Sequence, residues 1–332
     1  MVKVSKPTMC EPDVQGQICV IRLPVSFTVL EAVAFKQACQ RVYQEHSELI
    51  RTVLDFSDTT FIDSSGVGAL VICHKISREH GAEMVLRDVP AQVMMALSMT
   101  ELDKVFVIEQ GLALPAQQAV SKVKEQLLTT HPSVRSRTKR LIDIVGAIIG
   151  LGMTGILFVP IAIAIKLDDG GPILFSQIRC SWMGTRFRIW KFRSMVVNAE
   201  LLKKQVENEL DGPLFKNEKD PRITGIGHFL RRTSLDEFPQ FWNVLRGEMS
   251  LVGTRPPTPD ELEQYEVPEW RRLDVKPGMT GEWQVNGRSN IKKFEDVIQL
   301  DLKYQQNWSL VYDLKLILKT ILVLFSHNSG AA

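Results

Sequence analysis

The alternation of apolar and polar positions divides the chain into two regions. In residues 14–110, strand-like stretches alternate with stretches of helical periodicity. This order predicts a compact α/β domain. The predicted strands are 17–23, 51–63, 83–88 and 105–108, and the predicted helices are 30–50, 64–82 and 90–100. The pattern weakens over residues 111–138, which we interpret as a linker to a second domain at 139–328.

The second region begins with an apolar segment, 144–165, that contains no charged residue. It is long enough to cross a membrane as a helix, and its length and lack of a polar face argue against a soluble core helix. Basic residues flank both ends, so the positive-inside rule does not choose an orientation. Pro160 removes a backbone hydrogen bond and favours a kink or break. A span and a re-entrant helix both remain open, and the last helix, 311–325, is predicted to lie along the membrane surface.

Composition narrows the class of protein. The formal net charge of +2 over 332 residues argues against a nucleic-acid binder, and 45% hydrophobic residues suffice for a folded core. The five cysteines are scattered without a C-x-x-C pair, which favours reduced thiols over disulfides or a zinc site. The N-terminus lacks the apolar run of a secretory signal. We therefore expect the soluble parts to face the cytoplasm.

The densest chemistry lies at 231–240, which reads RRTSLDEFPQ. Ser234 and Glu237 have the spacing of a capping box, and carboxylates in a first turn suit the helix dipole. Acids beside Arg231 equally suit a site that binds a phosphate. The six histidines do not cluster, and no Walker loop, zinc helix or nucleophile elbow is present. Asp236 and Glu237 are therefore the best candidates for a nucleophile or metal ligands.

A series of motifs in fixed order carries a family resemblance. It runs KRLID, an apolar segment with a central proline, GPILFSQIR, WKFRSM, RRTSLDEFPQFWNVLRGEMSLVG, TRP and KPGMTGEWQVNGR. Region 139–328 thereby resembles the bacterial sugar transferases, the monotopic polyprenyl-phosphate hexose-1-phosphate transferases that start surface-glycan assembly. The resemblance implies an α+β, mainly helical, membrane-associated domain with a re-entrant helix. It also implies a location at the bacterial cytoplasmic membrane, with both soluble parts facing the cytoplasm.

The resemblance also implies a mechanism. Asp236 would attack the β-phosphate of a UDP-sugar, release UMP and hold the sugar phosphate until undecaprenyl (polyprenyl) phosphate accepts it. Mg²⁺ would be required, with Asp236 and Glu237 as its ligands and Glu237 also as a positioning carboxylate. Matched to the family's motifs, the cations near the phosphates are Arg231, Arg255, Lys191 and Arg288, and the motif before the membrane segment supplies Lys139, Arg140 and Asp143.

Two positions depart from the family pattern. Thr254 replaces the first proline of the usual G-P-R-P, and Pro239 stands where leucine is common. In a helix capped at Ser234, Pro239 would lose its N–H in the second turn. In a helix capped at Asp236, it would lie in the first turn, where proline is tolerated. The sequence leaves both positions open, and neither departure implies loss of activity.

The first domain carries D-S-S-G-x-G within VLDFSDTTFIDSSGVGAL, residues 53–70. This resembles the STAS domains of anti-sigma-factor antagonists and sulfate transporters, which implies a mixed sheet with helices and a regulatory or partner-binding role. In the antagonists the serine matching Ser64 is phosphorylated by a partner kinase. Alternatively, Ser64 and Ser65 only cap the following helix, as serine commonly does.

Taken together, the two resemblances imply a membrane phosphoglycosyl transferase. It would catalyse the first step of exopolysaccharide, O-antigen or capsule assembly, with the STAS domain as a regulatory or partner-binding module. One alternative is a signalling scaffold whose transferase half is inactive. Another is a metal-dependent phosphodiesterase that releases sugar phosphate into water. The sugar itself stays open among glucose, galactose and N-acetylated amino sugars.

Overall fold

A computed structural model describes residues 10, 12–109, 130–209, 211–215, 217, 219–286, 291 and 293–325. The described residues form two compact units. The first contains the residues up to Thr130, together with Trp182–Thr185 and Tyr265–Asp274. The second contains His131–Ser181, Arg186–Gln264 and the residues from Val275 onward. The chain therefore leaves the second unit twice to contribute short segments to the first.

The first unit is built from strands that alternate with helices. Its strands are β1 Pro12–Gln15, β2 Ile18–Arg22, β3 Ser26–Phe27, β4 Arg51–Asp55, β5 Phe61–Ile62, β6 Glu83–Arg87 and β7 Val107–Glu109. Its helices are α1 Val29–Glu45, α2 Ser64–Glu79 and α3 Ala91–Met99, followed by a 3-10 helix at Leu102–Lys104. The main sheet has the order β1-β2-β4-β6-β7, in which only the β1–β2 pair is antiparallel. The predicted α/β fold with a mixed sheet is confirmed.

Local chemistry explains where these elements begin and end. Thr28 and Glu31 form a capping box at the start of α1, with their side-chain oxygens 2.6 Å apart. The predicted strand 51–63 is divided because the Asp55 side chain accepts a hydrogen bond from the Ser57 N–H at 3.0 Å, which favours a turn. Helix α1 ends at Glu45, before the predicted residue 50, because the following residues form the turn into β4.

The second unit is mainly helical, as predicted. Its helices are α4 Pro132–Arg135, α5 Arg137–Asp169, α6 Ala199–Leu202, α7 Gly225–Arg232, α8 Phe241–Arg246, α9 Pro259–Leu262, α10 Glu282–Asn286, α11 Phe294–Gln306 and α12 Leu310–Phe325. Its 3-10 helices are Lys203–Gln205 and Leu235–Gln240. Two further 3-10 helices, Trp182–Gly184 and Val267–Asp274, belong to the first unit. Its strands are the antiparallel pair β8 Leu174–Cys180 and β9 Arg186–Phe192 and the parallel pair β10 Ser250–Val252 and β11 Gly278–Thr280.

Helix α5 contains the predicted membrane segment and is continuous through Pro160. A break at Pro160, which belonged to the re-entrant alternative, is therefore not present. Ile161 and Ile165, which follow the proline, pack in a buried cluster. The helix ends at Gly170, whose φ of 74° suits a glycine after a helix terminus. Among the described residues, α5 is the one helix long and apolar enough to cross a membrane by length and composition.

Candidate active site

The two candidate carboxylates lie on a tight turn between two helices. Helix α7 ends at Arg232, Ser234 adopts a left-handed conformation with φ of 52°, and the 3-10 helix Leu235–Gln240 follows. The Ser234 side chain makes no capping hydrogen bond, so the predicted capping box is wrong. Its left-handed backbone changes the geometry that a capping box requires. The Glu237 N–H instead donates to the Ser234 carbonyl at 3.2 Å.

Pro239 occupies neither of the two positions that the sequence left open. It lies inside the 3-10 helix, two residues before α8 begins at Phe241. The fixed φ of proline falls within the range of a 3-10 helix, so the residue fits this conformation without forcing it. The buried Pro239 thus helps to join the carboxylate turn to α8.

Asp236 and Glu237 have different surroundings although they are adjacent. Asp236 is buried, with 6% of its surface exposed. Glu237 is half-buried and accepts a hydrogen bond from Lys191 Nζ on β9 at 2.8 Å. The Lys191 ammonium therefore lies at the edge of the carboxylate turn, where it offsets the negative charge of Glu237.

Arg231 is the second cation at this turn. Its Nε donates to Ser194 Oγ at 3.0 Å. Burial lowers the pKa of Arg231, whereas the nearby carboxylates of Asp236, Asp220 and Glu237 act in the opposite direction. Arginine remains charged at neutral pH, so a partly desolvated guanidinium stands among three carboxylates. Such a cation binds an incoming phosphate strongly because little water screens it.

Three further side chains that sequence reasoning missed hold this arrangement. Asp220 and Arg222 form a buried ion pair, with 2.6 Å between Arg222 Nη2 and Asp220 Oδ2. Asn243 on α8 donates to the Arg188 carbonyl at 2.7 Å and accepts from the Trp190 N–H at 3.3 Å, which holds β9 on either side of Ile189 and just before Lys191. The D-P-R spacing of Asp220 and Arg222 was a usable signal, whereas nothing local in the sequence marked Asn243.

Arg255 pairs with a buried carboxylate, Glu261. It forms a two-pronged pair with Glu261, at 2.8 and 3.1 Å, and Glu261 also takes part in a capping box with Thr258 at the start of α9. Arg179 lies 4.0 Å from Glu261, and burial together with the charge of Arg255 lowers the pKa of Arg179 to about 10. Arg288 lies outside the described residues.

The departure at Thr254 leaves the backbone pairing of this loop intact. Thr254 is buried and forms a bridge with Pro277, and its carbonyl accepts from the Gly278 N–H at 2.8 Å. Gly253 must be glycine here, because a Cβ would overlap the Lys276 carbonyl. The loop therefore continues the pairing of β10 with β11.

The motif before the membrane segment anchors the start of α5. Lys139 donates to Asp313 at 2.6 Å, and both side chains are buried. Arg140 donates to the carbonyls of Val244 and Leu245 at 2.6 Å each, at the C-terminus of α8. Asp143 Oδ1 accepts from Ser250 Oγ and from the Leu251 N–H, at 2.9 Å each. These contacts tie α5 to α8, β10 and α12 within the second unit.

The carboxylate turn suits magnesium by its donor set. Among the described residues, no group of three or more His, Cys, Asp or Glu side chains is arranged to hold a metal. Mg²⁺ needs less, since it keeps several waters and binds through one or two carboxylates plus substrate phosphates. Asp236 and Glu237 supply two such carboxylates on one turn. The residues present therefore fit a magnesium ion that arrives with a phosphorylated substrate.

Two family profiles match the chain. The profile of the bacterial sugar transferase family matches residues 134–327. The chain belongs to this family. A STAS domain profile matches residues 10–114.

Three relatives illustrate the match. The galactosyl transferase CpsE of Streptococcus agalactiae serotype III is 54% identical over 187 residues, which cover 56% of this chain and 41% of that protein. The UDP-glucose:undecaprenyl-phosphate glucose-1-phosphate transferase of Escherichia coli is 41% identical over 202 residues, covering 58% and 41%. The exopolysaccharide production protein ExoY of Sinorhizobium fredii is 38% identical over 190 residues, covering 55% and 84%. The match thus spans less than half of the first two relatives and most of the third.

Proposed function

We propose that this protein is a membrane phosphoglycosyl transferase that moves a sugar 1-phosphate from a UDP-sugar to undecaprenyl phosphate. The observation that carries the proposal is the contrast within one turn: Asp236 is buried near the charge of Arg231, and its neighbour Glu237 is held by Lys191. A carboxylate beside a partly desolvated arginine, where a phosphate can bind, is well placed to act as the nucleophile.

In the first step, an Asp236 carboxylate oxygen attacks the β-phosphorus of the UDP-sugar. A new oxygen–phosphorus bond forms, the bond between that phosphorus and the bridging oxygen breaks, and UMP leaves with the bridging oxygen. The sugar phosphate is then bound to Asp236 as an acyl phosphate. Arg231 and Lys191 offset charge on the phosphoryl oxygens as the reaction proceeds.

In the second step, an oxygen of undecaprenyl phosphate attacks the same phosphorus, and the Asp236 carboxylate leaves. The product is a lipid diphosphate sugar. One phosphoanhydride replaces another, so no ATP is required. Magnesium, held by Asp236 and Glu237 with the substrate phosphates, would supply further neutralisation of the diphosphate charge.

The acceptor implies a place at the membrane. Helix α5 carries apolar side chains that are largely exposed, including Ile156 at 79% and Leu167 at 83%. We infer that this surface contacts the lipid of the bacterial cytoplasmic membrane and that the product enters exopolysaccharide or related glycan assembly. Relatives named for galactose and for glucose leave the sugar to be determined by assay.

The test uses the purified full chain with Mg²⁺ and a panel of UDP-sugars. With lipid acceptor present, we expect UMP release; without acceptor, intact-mass spectrometry should detect a sugar phosphate bound to the protein. Asp236→Asn should remove the adduct and lower turnover by at least roughly a thousandfold, since it removes the nucleophile. Asp296→Asn, an exposed carboxylate on α11, is the matched control and should keep both signals.

Three outcomes would contradict the proposal in different ways. An Asp236→Asn protein with wild-type turnover would refute the nucleophile. Sugar phosphate released into water without lipid would indicate a phosphodiesterase, and no product from any nucleotide sugar would indicate a scaffold.

A further inference from the structure

The start of α2 in the first unit is covered by a segment from far along the chain. Ser64 is fully buried. Its Oγ lies 2.7 Å from the Trp270 carbonyl and 2.5 Å from Asp274 Oδ1, and its N–H donates to the same carboxylate at 3.3 Å. The hydroxyl has one proton to donate, so the Trp270 carbonyl and the Asp274 carboxylate share it as acceptors. The D-S-S-G sequence is thus in contact with Tyr265–Asp274, a segment inside the sugar transferase match.

The contact is also close-packed. A Cβ added to Gly68 would overlap the Trp270 ring, so the absence of a side chain at position 68 allows the tryptophan to lie against α2. Trp270 is itself buried. Lys36 on α1 pairs with Glu266, at the other end of the same segment. Hydrogen bonds, an apolar contact and an ion pair therefore hold one short segment on one face of two helices.

The charges at this contact make it sensitive to added negative charge. Burial and the nearby Asp274 raise the pKa of Asp63 to about 7, while Arg271 and the N–H groups of Ser65 and Gly66 favour its ionised form. The Ser64 hydroxyl already contacts the Asp274 carboxylate, whose charge also acts on Asp63. A further negative group at position 64 would have no hydroxyl proton to donate and would face Asp274 directly.

Chain connectivity joins the segment to the other unit. Residues just before it include Glu261, which holds Arg255 and caps α9. Residues just after it lead into β11, which pairs with β10. Both ends of Tyr265–Asp274 are therefore continuous with elements of the second unit. Release of the segment from α2 would free these two elements, α9 and β11, from their attachment to the first unit.

We propose that the first unit is a docking domain in cis: the start of α2 binds Tyr265–Asp274, and negative charge at Ser64 releases the segment. This goes beyond the transferase activity and does not depend on it. While the segment is docked, the Ser64 hydroxyl is shielded, so an enzyme that modifies Ser64 needs the released state. The covering segment belongs to the same chain, which makes docking independent of protein concentration.

The experiment is hydrogen–deuterium exchange on the full chain with two variants that act differently. Ser64→Glu adds charge opposite Asp274. Gly68→Ala adds no charge and favours the helix, but its methyl group displaces Trp270. Both should raise exchange in 265–274 by about tenfold or more, as expected for the loss of a few contacts. Exchange in β4 and β6 should stay unchanged. Ser47→Glu, at an exposed turn, is the control for charge alone and should have no effect.

A double variant tests whether repulsion between position 64 and Asp274 causes the release. Asp274→Asn removes the carboxylate charge but keeps an oxygen acceptor, so Ser64→Glu combined with Asp274→Asn should exchange more slowly in 265–274 than Ser64→Glu alone. Unchanged exchange in both Ser64→Glu and Gly68→Ala would overturn the proposal. Equal loss of protection in the segment and in β4 and β6 would also overturn it, because the segment would then be part of the domain core and not releasable.

Discussion

Asp236 and Glu237 are neighbours in sequence but face different partners. In a 3-10 helix successive side chains project about 120° apart, so adjacent residues address different neighbours. Glu237 reaches Lys191 on β9, whereas Asp236 is buried within range of Arg231. The turn therefore places the two carboxylates beside different cations. An α-helix at the same place would set the two side chains about 100° apart.

At this scale we predict the effect of removing the cation. Lys191→Met should lower kcat/KM for the UDP-sugar by roughly a hundredfold, because a positive group near the transferred phosphoryl is lost. Stability should change by less than about 1 kcal/mol, since the pair is half-exposed. Steady-state kinetics and thermal unfolding measure the two effects. Lys219→Met removes an exposed lysine and should leave both unchanged. Equal kinetics for the two variants would exclude Lys191 from the site.

The candidate residues could be selected from the sequence, but their partners could not. The grouping of Arg231, Asp236 and Glu237 follows from a ten-residue stretch, and Lys191 came from its motif. The capping box failed because a serine at positive φ has no sequence signal; glycine and asparagine are the usual residues there. The long-range contact of Ser64 with Asp274, 210 residues away, was equally invisible.

Among the helices, α5 is the one whose packed side the sequence pattern does not predict. It is apolar on every side, so periodicity does not separate the side that packs on protein from the side that faces outward. The structure separates them: Thr154 donates to the Gly150 carbonyl and lies 3.3 Å from the Phe238 carbonyl. The buried residues of its apolar part are Ala147, Gly150, Thr154, Ile161 and Ile165, and the exposed apolar ones include Ile148, Ile149, Ile156, Val159 and Ile163.

Two glycines on α5 give a matched pair of predictions. A Cβ on Gly150 would overlap the Phe241 ring at the start of α8, whereas a Cβ on Gly152 would meet nothing within 4 Å. Gly150→Ala should lower the free energy of unfolding by about 1–3 kcal/mol through overpacking. It should also lower turnover, because Phe241 directly follows the carboxylate turn. Gly152→Ala should be neutral or stabilising by up to about 1 kcal/mol, since alanine favours helix.

Denaturant unfolding in one detergent, with turnover measured on the same samples, compares these variants. Matching results for the two glycines would show that α5 does not pack on α8 in the folded protein.

The elements of the first unit were predictable because their periods of 2 and 3.6 are regular. The 3-10 helix at Leu235–Gln240 was not, because it is too short to display a period and is set by Ser234 and Pro239.

At the scale of the molecule, the path of the chain bears on how α5 meets the membrane. Residues before α5 and two segments after it, Trp182–Thr185 and Tyr265–Asp274, fold into the same compact unit. If α5 crossed the bilayer once, these parts would lie on opposite sides and the unit could not form. The basic flanks left span and re-entrant helix equally open. The shared unit argues against a single span.

Thiol labelling of inside-out vesicles and spheroplasts tests whether both ends of α5 lie on one side of the membrane. The native cysteines are all buried, so background labelling of the folded protein should be low. Thr138→Cys and Lys166→Cys place exposed thiols near the two ends of α5, and Ser47→Cys reports the side of the first unit. A membrane-impermeant maleimide should label all three in inside-out vesicles and none in intact spheroplasts, the result expected when both ends and the first unit lie on the cytoplasmic side. Labelling of positions 138 and 166 from opposite sides would establish a single span, and the first unit would then have to assemble without its later segments.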